Sequence, residues 1–198
     1  MESGKTLFLT ELTQEFTRRG LNVAGGKLTG IACLRDLNSL EDHGAKVTAS
    51  FLDAGHPSTA GLGPETLVSM ARTVIAHLAG RGADVIFLEL GDGVIGEYGV
   101  LDILKDPEIR AGFTVHAFCA SDMVGAWGGS RFLERHGIVI DIFSGPVTDN
   151  EVGVQYLEGE FGRRAVNAHR DPELLADVVL EHLGMTAPVI GAKRKGEG

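Results

Sequence analysis

The stretch Asp84-Val85-Ile86-Phe87-Leu88-Glu89-Leu90 is apolar almost without interruption, and it is bounded by Gly82 before and Gly91-Asp92-Gly93 after. A strand with one face in water alternates apolar and polar residues. A continuous run is what a strand needs when both faces are covered, as in a parallel sheet carrying helices on both sides. A parallel neighbour cannot be reached by a tight turn, so such a strand demands helical crossovers elsewhere in the chain.

Those crossovers are legible. Phe8, Leu12 and Phe16 recur at four-residue spacing, predicting a helix that starts at the lysine and ends near Gly20. Residues 21–27 read as a short strand ending in glycines, 31–45 as polar and irregular, and 46–52 as a further strand ending at Asp53-Ala54-Gly55-His56. Pro64-Glu65 opens a helix with Leu67, Met70, Val74, Ile75 and Leu78 on its buried face. After the run at 84–90 come a short helix near 99–104, a strand at 113–119, a helix near 124–135 and a strand at 138–143. A helix near 150–161, a weak strand at 164–166 and a last helix at 172–183 complete the pattern. Alternation of this kind predicts an α/β fold: one three-layer, doubly wound domain with a mostly parallel sheet over residues 1–184, and a flexible tail over 185–198.

Charge and cysteine content exclude several functions. A net charge of −9 argues against a nucleic-acid surface. Only Cys33 and Cys119 are present, in neither a metal-ligand nor a disulfide pattern, so both are expected to pack as small apolar residues. No apolar span suggests a membrane segment, and a cytoplasmic location is the default expectation.

The N-terminal Met1-Glu2-Ser3-Gly4-Lys5-Thr6 matches the back half of the phosphate-binding loop G-x-x-x-x-G-K-[ST]. Counting back from Gly4, the first glycine of that loop would fall two places before Met1. The expectation is that the first strand of the sheet, which normally runs into such a loop, is missing. Ser3, Gly4, Lys5 and Thr6 would hold the phosphates of a nucleotide at a helix N-terminus, Lys5 reaching the β- and γ-phosphates and Thr6 placing its hydroxyl on Mg²⁺. Glu89 ends the apolar strand, where ligands of doubly wound sheets sit, and could bind the metal, with Asp92 in reserve. Lys27 and Asp53 follow two other strands. Lys27 could neutralise an anionic substrate, and Asp53 could help hold Mg²⁺ or accept a proton. His56 and His116 read more simply as loop and structural residues. The loop 144–150 could contact a nucleotide base or substrate, and reads more simply as a helix start capped by Thr148 or Asp149. Trp127 reads as packing.

Three segments together resemble the dethiobiotin synthetase-like group of P-loop nucleoside triphosphatases: Ser3-Gly4-Lys5-Thr6, Lys27-Leu28-Thr29-Gly30, and the strand ending Glu89-Leu90-Gly91-Asp92-Gly93. That group carries a P-loop, a lysine followed closely by Thr-Gly, and a strand ending Glu-Gly-x-Gly; here Leu90 is inserted after Glu89. The resemblance implies ATP and Mg²⁺ as cofactors and phosphoryl transfer to a small carboxylate-type substrate. It makes Lys5 the phosphate lysine, Lys27 the substrate-side lysine, Thr6 and Glu89 the metal-side residues, and Asp53 a further ligand. It also suggests a homodimer. Two alternatives stay open: a nucleotide-binding regulatory or scaffold protein with little turnover, and an inactive, N-terminally truncated product.

Overall fold

The computed structural model describes residues 3–186. Helix α1 (Lys5–Arg18) leads to strand β1 (Val23–Thr29), α2 (Leu34–Asp42), β2 (Val47–Ser50), α3 (Pro64–Ala79) and β3 (Val85–Leu90). Then follow α4 (Val100–Lys105), α5 (Pro107–Gly112), β4 (Ala117–Cys119), α6 (Met123–Glu134) and β5 (Ile142–Ser144). A 3-10 turn (Pro146–Thr148), α7 (Glu151–Phe161), β6 (Arg164–Ala165) and α8 (Pro172–Leu183) end the described chain. All pairings between these strands are parallel, in two three-stranded sheets ordered β2-β1-β3 and β4-β5-β6. The α/β, helix-covered parallel architecture expected from the sequence is therefore present.

The three layers are visible at two consecutive glycines of β1, which is buried along its whole length. A Cβ on Gly25 would come within 2.7 Å of Leu40 from α2, and one on Gly26 within 2.8 Å of Leu78 from α3. Successive residues of a strand point to opposite faces, so α2 and α3 press on opposite sides of the same backbone. Either side chain would push a helix away from the sheet. On the face of α1, the fully buried Phe16 meets Phe87 of β3 edge-on at 5.2 Å between ring centroids. In the second sheet Phe143 of β5 is fully buried between Phe118 and Phe161.

Several local readings change. The stretch expected to be irregular contains α2, whose apolar residues Leu34, Leu37 and Leu40 fall at three-residue spacing within a polar sequence. Of the expected strand 113–119, only Ala117–Cys119 forms a ladder, and of 138–143, only from Ile142 onward. An apolar run becomes a strand only where a neighbour's ladder pairs with it, and the ladder to β5 begins at Ala117, with His116 held just before it by backbone bonds to Asp141 and Ile142. Asn150, not Thr148 or Asp149, caps α7, its side chain accepting from the Gly153 N–H at 2.9 Å. Cys33 is exposed rather than packed, and Trp127 is 46% exposed on α6. Cys119 is different: burial pushes its thiol up to about 12. The tail expected from 185 onward lies outside the described residues beyond Thr186, whereas Met185 packs against the core beside α8. Among the described residues no helix is long and apolar enough to cross a membrane.

Candidate phosphate-binding site

Five segments arrive at the carboxyl edge of the strands. β1 delivers Lys27, Thr29 and Gly30; β3 delivers Glu89, Gly91 and Asp92; β2 delivers the turn at Asp53; β5 delivers Gly145; and α1 starts there with Ser3–Thr6. Lys27 and Glu89 are partners in the β1–β3 register. Paired residues of parallel neighbours point to the same face, and for these two it is the face that carries α1 and α2. The consequence is a charged cluster. The Thr6 hydroxyl donates to Glu89 Oε2 at 3.3 Å, and Lys27 Nζ lies 2.6 Å from Asp36 Oδ2 of α2 while also donating to the Ile31 carbonyl at 3.2 Å.

Both strand-borne charges are buried, Lys27 and Glu89 each being 8% exposed. Burial raises the Glu89 carboxyl above its ordinary value of 4.5, and the nearby Asp36 adds to this. Lys27, Lys5 and the Thr6 hydroxyl pull in the opposite direction without cancelling it. A raised folded-state value means that the native state holds the proton over a pH range where the unfolded chain has lost it. Stability from this group is thus greatest below 4.5 and declines as pH rises through the folded-state value. Replacing Glu89 by Gln is expected to raise the melting temperature at neutral pH, with the gain over the parent shrinking toward zero near pH 4, measured by thermal unfolding across that range. A gain that does not vary with pH would place the cost elsewhere.

The N-terminus of α1 is shaped for an anion. Gly4 precedes it in the left-handed region (φ 82°), and no side chain caps the first-turn N–H groups. Free N–H groups and the positive end of the helix dipole favour negative charge. Lys5 Nζ lies beside them, donating to Ser3 Oγ at 3.1 Å. The loop after β5 buttresses this turn from behind. A Cβ on Gly145 would lie 2.3 Å from the Ser3 carbonyl oxygen and 2.8 Å from that of Ala120, and one on Gly4 would lie 3.2 Å from the Gly145 Cα.

The loops after β1 and β3 are clasped to each other. The Thr29 hydroxyl donates to the Gly91 carbonyl at 3.0 Å, and the Ile31 N–H donates to Asp92 Oδ2 at 3.2 Å. Asp92 is the non-glycine residue with positive φ (63°) among the described residues. Its carboxylate, a reserve metal-ligand candidate on sequence grounds, serves the loop that frames the site. Thr59 ties in a third loop, accepting from the Gly30 N–H at 2.9 Å and donating to the Tyr98 carbonyl at 2.9 Å.

Of the residues singled out from sequence, Ser3, Gly4, Lys5, Thr6, Lys27 and Glu89 share this edge. Asp53 belongs to the same edge but is exposed, and its carboxylate accepts from the Ser50 N–H at 2.8 Å, closing the turn after β2. Among the described residues no group of three or more His, Cys, Asp or Glu converges as a metal site. The oxygens of Thr6 and Glu89 nevertheless suit a hard divalent cation that takes its remaining ligands from phosphate and water. His56 donates only its backbone N–H, to Phe51. His116 precedes β4; its Nε2 is buried without a partner, and burial lowers its basicity. Three parts are not legible from the sequence: Asp36, Thr59 and the buttressing role of Gly145. The sequence marks the first only as an ordinary helix start, an acid in the first turn of a Leu34-Leu37-Leu40 stripe.

No protein-family model matches the sequence, and no curated protein matches it. Solved structures do. The chain is similar to the signal recognition particle 54 kDa protein of Aeropyrum pernix, a complex with GDP, at 18% identity and a TM-score of 0.62, covering 91% of this chain and 43% of that one. It is also similar to the cell division protein FtsY of Thermotoga maritima, at 15% identity and a TM-score of 0.59, covering 90% and 65%. The fold is that of a P-loop NTPase. The chain spans less than two thirds of the length of either protein. The likeness is one of fold: at these identities it carries over the layering and the sheet edge on which a site is built, and site chemistry must be argued from the residues themselves.

Proposed function

We propose that the chain binds a nucleoside triphosphate with Mg²⁺, ATP in the reading taken from its sequence, and transfers the terminal phosphoryl group to a small carboxylate-type acceptor. The observation that supports it is the gathering of Lys5, Thr6, Glu89 and Lys27 at one sheet edge around an uncapped helix N-terminus. The first-turn N–H groups of α1 and Lys5 would hold the phosphates, and Lys5 would offset charge on the group in transfer. Thr6 and Glu89 would hold Mg²⁺, which supplies further charge neutralisation on the phosphate oxygens. Asp53, on the neighbouring loop, is retained in this reading as a further metal-side or proton-accepting carboxylate. GDP in the complex of the A. pernix protein supports a nucleotide at this fold and leaves the base to be tested. The resemblance to dethiobiotin synthetases and the homodimer it suggests rest on the sequence motifs alone.

Lys27 has a specific part. Its ammonium is already paired with Asp36, and both side chains are largely shielded, 10% and 14% exposed. An acceptor carboxylate would take the place of the Asp36 carboxylate, so α2 would shift when the acceptor binds. Replacing Asp36 by Asn removes the carboxylate closest to a buried ammonium, which keeps the Ile31 carbonyl and the nearby Glu89, and breaking such a shielded pair costs up to about 3–5 kcal/mol. The variant is expected to melt lower than the parent and to recover more than the parent does when small carboxylates are added, because they restore the pair. Thermal unfolding with a carboxylate panel reads this directly; a variant indifferent to every carboxylate argues against an acceptor at Lys27. Single-turnover ATP hydrolysis with and without the same acids tests the activity, and stimulation is the expected result. The pairing of Lys27 with Asp36 also favours a second reading, a nucleotide-binding regulator with little turnover, for which no acid would stimulate hydrolysis.

A further inference from the structure

Lys27 reaches the site through a gap between two loops. Its pairing with Glu89 is the last regular step of the β1–β3 ladder, and the register shifts before Thr29 meets Leu90. Such a bulge bends the strand and re-aims the side chain beside it. The Lys27 stem then passes between two glycines. A Cβ on Gly30 would lie 3.3 Å from Lys27 Cε and 2.6 Å from Asp92 Oδ2. One on Gly91 would lie 3.3 Å from the same Cε and 2.6 Å from the Thr29 carbonyl oxygen. The ammonium emerges against the Ile31 carbonyl and the Asp36 carboxylate. A lysine stem is normally free in every torsion, and this one is threaded through a sleeve of backbone.

Bonds between the loops hold the sleeve closed. The Gly91 N–H donates to the Thr29 carbonyl at 3.2 Å, and the Thr29 hydroxyl donates back to the Gly91 carbonyl. Next along, Asp92 Oδ2 accepts from the Ile31 N–H. Ile31 is therefore gripped twice, at its N–H by Asp92 and at its carbonyl by Lys27. The far end of the β3 loop is tied to the same place by Thr59, which is fully buried and bridges the Gly30 N–H and the Tyr98 carbonyl. Asp92 holds φ 63°, a conformation that side-chain-bearing residues other than Asn and Asp seldom adopt. The bond to Ile31 is what that conformation secures.

Glu89 and Asp92 leave the same strand end three residues apart. Glu89 stands on the metal side of the proposed site, and Asp92 grips the loop that aims the lysine. We propose that Asp92 is a positioning residue: through Ile31 it fixes the Lys27 ammonium in place for an acceptor carboxylate. Fixing a flexible cation before the acceptor arrives removes an entropy cost from binding, which is how preorganisation strengthens a weak contact. It also sets the acceptor side and the metal side from one loop, so a shift of that loop moves both. The inference rests on the reading of Lys27 as the acceptor-side lysine, and its main readout requires neither nucleotide nor acceptor.

The test follows Lys27 itself in the full chain. Asp92→Gly removes the carboxylate and suits a positive φ, so the variant is expected to fold and to melt close to the parent. Lysine labelling by trinitrobenzenesulfonate, read peptide by peptide, is expected to speed up about 10-fold or more at Lys27 and to stay unchanged at the exposed Lys46 and Lys105. The Lys27 Nζ NMR signal should move toward that of a free lysine. Asp92→Asn keeps an acceptor oxygen and tolerates the left-handed backbone, so it should return both readouts to near the parent. Mg–ATP affinity should be unchanged in both variants, while thermal stabilisation by acetate, the simplest acceptor probe, should be smaller in Asp92→Gly than in the parent. Unchanged labelling and signal at Lys27 in Asp92→Gly overturn the proposal, as does equal stabilisation of variant and parent by acetate. Equal acceleration at all three lysines overturns it too, because it shows general loosening. A selective loss of Mg–ATP affinity makes Asp92 a metal ligand and equally overturns it. A parent that binds no nucleotide sinks the nucleotide reading, and the labelling result still decides the part played by Asp92.

Discussion

Replacing Gly145 by Ala is expected to lower the melting temperature by roughly 10 °C and to weaken nucleotide binding as well. Two independent costs add. Gly145 has φ 91° and ψ −171°, a region that essentially only glycine occupies, and forcing another residue there costs about 1–3 kcal/mol. The new Cβ would also stand 2.3 Å from the Ser3 carbonyl and 2.8 Å from the Ala120 carbonyl, both of them backbone atoms. Overpacking against groups that cannot rotate away costs about another 1–3 kcal/mol. For a chain of this length each kcal/mol moves the midpoint by about 2–4 °C. The backbone that must yield is that of Ser3 and Gly4, so the damage reaches the phosphate loop. Gly159 provides the matched control. It lies within α7 with nothing within 4 Å of a new Cβ, so Gly159→Ala should leave the midpoint unchanged or raise it slightly. Equal effects at the two positions would show that Gly145 does not buttress the loop.

Lys5→Ala is expected to weaken Mg²⁺–nucleotide binding by about 100-fold or more while leaving the unliganded melting temperature nearly unchanged. In the unliganded chain the Lys5 ammonium makes one partly exposed bond, to Ser3 Oγ at 3.1 Å, and such contacts contribute little to stability. Facing the β- and γ-phosphates, the same group would make charge-assisted bonds worth about 1.5–3 kcal/mol each. The split between lost affinity and retained stability is what a phosphate-binding residue predicts. Lys5→Arg should not restore full binding, because a planar fork does not replace a point charge in a tight loop. Titration calorimetry and thermal unfolding on the same samples separate the two effects. A variant that loses stability and keeps affinity would make Lys5 a structural residue.

The fold was readable largely because burial imposes unmistakable patterns. A strand covered on both faces must be almost wholly apolar, and residues 85–90 are, Glu89 apart, so β3 falls where the run is. Helices with one wide apolar stripe, α1, α3 and α8, were equally plain. α2 was not, because it turns only Leu40 fully inward and leaves Leu34 exposed, so its apolar content is too low to stand out. Strands β4 and β5 proved shorter than their apolar runs because pairing depends on neighbours far away in sequence, and one edge of β4 has none. At the site, residues at strand ends were legible from local sequence: Lys27, Glu89 and the loop at Ser3–Thr6. Asp36 and Gly145 act through contacts over long sequence separations, Asp36 across nine residues to Lys27 and Gly145 across more than a hundred to Ser3. No single-chain periodicity encodes such meetings.

The central claim is that this sheet edge binds a nucleotide through its phosphates. Calorimetric titration with Mg–ATP, Mg–GTP and their diphosphates, on the parent and on Lys5→Ala, tests it most directly. The account predicts saturable binding at one site by at least one triphosphate, weakened by chelating Mg²⁺ and lost in Lys5→Ala. Absence of binding heat and of any thermal stabilisation of the parent with every nucleotide would contradict it.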